Sequence, residues 1–131
     1  MELELEEKAD LLSRAKAVLF PIDWDEPFGL VMIESMACGT PVLALPGGSV
    51  PEVVRDGVSG WICRDVDDMA DRIRSLDVAP ASCRSWVERQ FTVDGMTARY
   101  VDLYQRLARP RADAAPLRRL RADVVERPTA S

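Results

Sequence analysis

Glu26 and Glu34 are separated by seven residues, and Glu34 is the only charged side chain between Phe28 and Cys38. A carboxylate accepts two hydrogen bonds, which suits it to grip a vicinal diol such as ribose. Between the two glutamates a helix is expected to open at Phe28. The free amides of Phe28, Gly29 and Leu30 would then form its positive end, a site for anionic or hydroxyl-rich ligands. Gly29 removes a side chain where a ligand could approach the backbone, and Glu26 projects into the same space. Spacing alone is a weak signal, because exposed glutamate is the norm on helices. The surrounding elements give it weight.

Apolar periodicity predicts a helix over residues 3–15, then a short strand at Ala17-Val18-Leu19-Phe20 that Pro21 ends. Continuous apolar runs of this kind suit parallel strands buried on both faces. The polar turn Asp23-Trp24-Asp25-Glu26-Pro27 leads into the helix from Phe28 to Cys38, which Gly39 ends and Pro41 keeps from continuing. Val42-Leu43-Ala44-Leu45 is a second buried strand. A short helix at Pro51–Arg55 follows the turn Pro46-Gly47-Gly48, with proline where its missing N–H costs nothing. Gly60-Trp61-Ile62-Cys63 is a third strand, and Asp67 is placed to cap a helix reaching Leu76. Two further helices are expected over 80–90 and 94–107, the last with Met96, Tyr100, Leu103, Tyr104 and Leu107 at helical spacing.

This alternation indicates an α/β fold, a Rossmann-like parallel sheet with flanking helices. In such sheets ligands sit outside the carboxyl ends of the strands, where Glu26 falls. Three strands leave a long sheet edge unpaired, open to self-association. Residues 1–109 read as one partial domain and residues 110–131 as a flexible tail rich in Arg, Pro and Ala.

Composition narrows the function. The 131 residues carry a net charge of −5, which argues against nucleic acid or an anionic membrane as partner. Five arginines against three acids from Pro110 onward read as a solvated tail. There is no histidine, and the three cysteines, Cys38, Cys63 and Cys83, are widely spaced. No metal site is expected, and a reduced, cytoplasmic setting is. No apolar run approaches the ~18 residues of a spanning helix. Cys38 reads as a small buried helix residue, Trp24 as rim or core packing, and the Tyr100/Tyr104 stripe as helix packing. Gly47 and Gly48 fit a plain turn and close approach to a phosphate about equally well.

The string Glu26-Pro27-Phe28-Gly29-Leu30-Val31-Met32-Ile33-Glu34-Ser35-Met36-Ala37-Cys38-Gly39-Thr40-Pro41-Val42 resembles the E-x7-E signature of the group 1 (family 4) retaining glycosyltransferases. Leu19-Phe20-Pro21 before it, and Gly47 to Val54 and Asp56 to Trp61 after it, extend the likeness. Phe91-Thr92 to Tyr104 resembles the family's terminal helix, without its usual aromatic after Thr92. The resemblance spans about residues 5–108.

It implies part of the C-terminal half of a GT-B fold, the half that binds the donor nucleotide. Glu26 would lie at the donor sugar's reactive face as the catalytic residue. Glu34 would hold the ribose hydroxyls, and Phe28, Gly29 and Leu30 would offer backbone amides to the sugar or its phosphate. The donor would be a UDP- or GDP-linked sugar whose hexosyl group passes to an acceptor, with no cofactor and no bound metal. Lys8 and Lys16 are the only lysines, and neither matches the family's diphosphate-gripping Arg and Lys. Activity is therefore expected to need a separate N-terminal half as partner. The alternative is a non-catalytic Rossmann-like binding or interaction module.

Overall fold

Each side chain of Val42-Leu43-Ala44 is fully buried, so this short run needs a layer on both faces. The computed structural model, which describes residues 4–108, supplies them. Strand β2 (Val42–Ala44) lies between β1 (Val18–Phe20) and β3 (Gly60–Ile62), all parallel, in the order β1-β2-β3. Val18 is in register with Val42, and Val42 with Gly60.

Alternation along β2 sorts its side chains. Val42 and Ala44 pack with Met32 and Met36 of helix α2 (Leu30–Ala37), Val50 and Val53 of α3 (Val50–Val53) and Cys83 of α5 (Pro80–Gln90). Leu43 faces the other way, with Cys63 and with Met69 of α4 (Val66–Arg74). The first helix, α1 (Leu5–Arg14), lies against α2, and α6 (Val93–Ala108) closes the described chain.

Several details differ from the sequence expectations. Strand β1 is an edge strand, and Leu19 is 52% exposed instead of buried on both faces, because among the described residues β1 pairs only with β2. The cap of α4 is Asp65, not Asp67. Asp65 has the extended backbone of a cap (φ −157°), and its carboxylate accepts the Asp68 amide at 2.7 Å, whereas Asp67 is already helical. Cys38 is the half-buried end residue of α2. The α6 stripe is largely exposed: Met96 lines a cleft with Leu30 and Ile33, and Tyr100 and Tyr104 are both exposed, 6.1 Å apart ring to ring. The expected tail at 110–131 lies outside the described residues.

Candidate donor site

The loop between β1 and α2 is fastened to its own helix and to a second loop. The Glu26 carboxylate oxygen Oε1 accepts the amides of Gly29 at 3.0 Å and Phe28 at 3.4 Å. The Glu26 carbonyl accepts the Ser49 amide at 2.8 Å, and Asp25 Oδ1 accepts the Gly48 amide at 3.1 Å. Gly48 has φ +47°, and a Cβ there would land on the backbone of Glu26. The two glycines after β2 thus form a turn that fits closely under the Glu26 loop.

This geometry corrects the first reading in three respects. The helix opens at Leu30, with Gly29 as its cap. The amides of Phe28 and Gly29 are not free, because Glu26 satisfies them. Gly29 is buried at φ +73°, and a Cβ would collide with the tip of Met32 and approach Ser49 Oγ at 3.6 Å, so its glycine answers to the backbone and core. Leu30 and Phe28 keep exposed side chains, and Trp24 beside them is 60% exposed, clear of the core. Phe28 lines a cleft with Pro27, Glu52, Trp86, Phe91 and Arg99.

Glu34 is held from a different direction. Its Oε1 accepts from the Lys8 ammonium of α1 at 2.8 Å. Both side chains are a little over a third exposed and stand at a groove lined by Leu5, Ala9, Leu12, Ala37 and Cys38. Buried hydrogen bonds set α1 in place: Thr40 Oγ1 donates to the Leu12 carbonyl at 2.6 Å, and Ser35 Oγ to the Thr40 carbonyl at 2.8 Å. Sequence reasoning missed Lys8. A signal was present, since Lys8 interrupts the helical face Leu5, Ala9, Leu12 at i+3.

Ser49 Oγ is buried without a hydrogen-bond partner among the described residues. The two buried thiols, Cys63 and Cys83, are held in the protonated form. Burial pushes Cys83 up to about 11 and raises Cys63, whose neighbours Asp68, Asp56 and Asp65 add to the effect. Among the described residues no three His, Cys, Asp or Glu side chains gather to hold a metal, and no helix is long and apolar enough to cross a membrane.

The arrangement places one carboxylate, from the preceding loop, at the positive end of α2 and another along its side. Comparison with known proteins gives it a family. The model described as "Glycosyl transferases group 1" matches residues 2–91. A D-inositol 3-phosphate glycosyltransferase of Mycobacterium avium (strain 104) is 43% identical over 83 residues, which is 62% of this chain and 19% of that protein. The chain thus spans about a fifth of the length of that curated relative. Sucrose-phosphate synthase from Thermosynechococcus elongatus superposes with a TM-score of 0.67 at 31% identity, over 81% of this chain and 29% of that one. Anabaena Alr3699/HepE in complex with UDP superposes at 0.64 and 24% identity, over 73% and 29% of the two chains. Sequence and fold agree: with the Glu26–Glu34 segment inside the matched region, the chain belongs to the group 1 glycosyltransferase family and has part of the GT-B fold.

Proposed function

We propose that this chain forms the donor wall of a retaining glycosyltransferase and binds a UDP- or GDP-sugar along α2. The observation that carries the reading is the Glu26 carboxylate seated on the amides of Phe28 and Gly29 at the positive end of α2. A donor would exchange with it. Its phosphate oxygens or sugar hydroxyls would take the amides, and Glu26 would turn to accept from the sugar. Glu34, through its second carboxylate oxygen, would accept from the ribose hydroxyls.

In the transfer itself the acceptor hydroxyl oxygen would bond to the anomeric carbon on the face from which the diphosphate departs. The bond from that carbon to the leaving oxygen breaks, and the acceptor proton passes to the departing phosphate. Glu26 would position the donor and stabilise developing positive charge at the sugar, with the helix amides opposing the negative charge on the diphosphate. No metal and no cofactor has a part in this scheme. The acceptor side and the remaining diphosphate contacts would come from an N-terminal half, so the chain alone should show no transfer above a Glu26→Ala control. The relative's name suggests an inositol phosphate as one acceptor to try.

The test is a titration of UDP-glucose and GDP-mannose into the purified chain, followed by NMR shifts or calorimetry. Binding of one of them, weakened about tenfold or more by Glu34→Ala, is expected. Absence of binding to either would reject the reading and favour a non-catalytic interaction module.

A further inference from the structure

Resting on that reading of Glu34, we propose that Lys8 is a positioning residue of the nucleotide site. It holds the Glu34 carboxylate by Oε1 and leaves Oε2 turned to the ligand.

Three observations converge on it. The ammonium of Lys8 is 2.8 Å from Glu34 Oε1, and among the described residues it is the one donor that carboxylate has. The contact joins residues 26 positions apart, so it depends on α1 lying against α2, where Thr40 Oγ1 also donates to the Leu12 carbonyl. Lys8 and Glu34 together line a mainly apolar groove with Leu5, Ala9, Leu12, Ala37 and Cys38, a setting that favours an apolar stem with a charged tip.

A glutamate on an open helix face samples several rotamers, and ordering it is a cost that ligand binding would have to meet. An ion pair made beforehand lowers that cost. It also offsets a negative charge beside the path of a diphosphate, which an unpaired Glu34 would repel. Both effects act on ligand affinity and require Glu34. A plain tie between two helices would show neither.

The experiment measures UDP affinity of the full chain by calorimetry for the wild type, Lys8→Met, Lys8→Arg, Glu34→Gln and the double variant Lys8→Met/Glu34→Gln. Methionine keeps the apolar stem, so folding should survive, and circular dichroism checks it. Lys8→Met should weaken UDP about three- to tenfold, while Lys8→Arg stays within about twofold. In the Glu34→Gln background the Lys8 substitution should cost nothing more. With 2′,3′-dideoxy-UDP, which has no diol for Glu34, the loss caused by Lys8→Met should shrink to the part that charge repulsion of the diphosphate causes. Unchanged UDP affinity in Lys8→Met overturns the proposal, as does an equal loss in the Glu34→Gln background or with the dideoxy nucleotide. A wild type that binds no UDP and no other nucleotide sugar removes both this inference and the donor-site reading. A Glu34→Ala effect without a Lys8 effect removes this one alone.

Discussion

The two ends of the E-x7-E segment are built on different principles. At Glu26 the carboxylate bonds to amides two and three residues ahead, and its carbonyl bonds to a loop 23 residues later. At Glu34 the carboxylate bonds to one flexible side chain on another helix. The first glutamate is part of the local fold. The second is oriented by tertiary packing and leaves its helix unaffected. A carboxylate at a helix end is therefore expected to matter for stability as well as for binding, and one on a helix flank for binding almost alone.

The largest effect should come from breaking the clamp under Glu26. In Gly48→Ala the new methyl would meet the Glu26 backbone at a φ of +47° that L side chains rarely adopt. A loss of about 2–4 kcal/mol is expected, read as a lowered urea midpoint. A neutral result would mean that the two loops are free to separate.

At the other end, Thr40→Val removes the buried hydroxyl that bonds the Leu12 carbonyl and leaves that carbonyl with the Ala15 amide as its donor. The lost hydrogen bond should cost about 1–2 kcal/mol in chemical denaturation. It should also loosen α1 and so separate Lys8 from Glu34, seen as a changed Lys8 side-chain NMR signal. If the Lys8 signal is unchanged while stability falls, the helix is held by its apolar face and the hydroxyl does not set the register.

Glu26→Ala should be milder. It leaves the Phe28 amide to water and the amide of buried Gly29 without its acceptor, a loss comparable to that of a helix cap, about 0.5–2 kcal/mol. Glu26→Gln should recover part of it, because the amide oxygen still accepts. Thermal unfolding of the pair checks this, and equal melting of wild type and Glu26→Ala would show that the capping bonds contribute nothing.

Much of this was legible in the sequence, and the part that was not has a common cause. Val42-Leu43-Ala44 announces a central strand through three consecutive apolar residues, and Gly39 with Pro41 marks the end of α2, because these signals are local. The E-x7-E string likewise identified the family that the comparisons show. What escaped was whatever depends on a neighbour distant in sequence. Leu19 looks like a buried strand residue until β1 proves to be at an edge. The amides of Phe28 and Gly29 look free until the rotamer of Glu26 is known. Lys8 looks like one of several charges on an acidic helix until packing on α2 brings that helix beside Glu34. Asp67 was misplaced for a smaller reason: two nearby aspartates both suit a cap, and only the extended backbone of Asp65 separates them.

The smallest effect on folding should be that of Lys8→Met. The Lys8–Glu34 pair is more than a third exposed on each side, so water screens it and competes for both charges. Pairs of that kind contribute about 0–1 kcal/mol, and methionine keeps an apolar stem of similar length at the groove that Leu5, Ala9 and Leu12 line. The change in unfolding free energy should therefore stay within about 0.5 kcal/mol at moderate salt. If Lys8→Met instead destabilises the chain as much as Thr40→Val does, the pair is a structural tie like the bonds at Glu26, and the contrast between the two ends of α2 disappears. If the melting curve barely moves, the flank glutamate can be reoriented without disturbing the fold, as a residue held ready for a ligand requires.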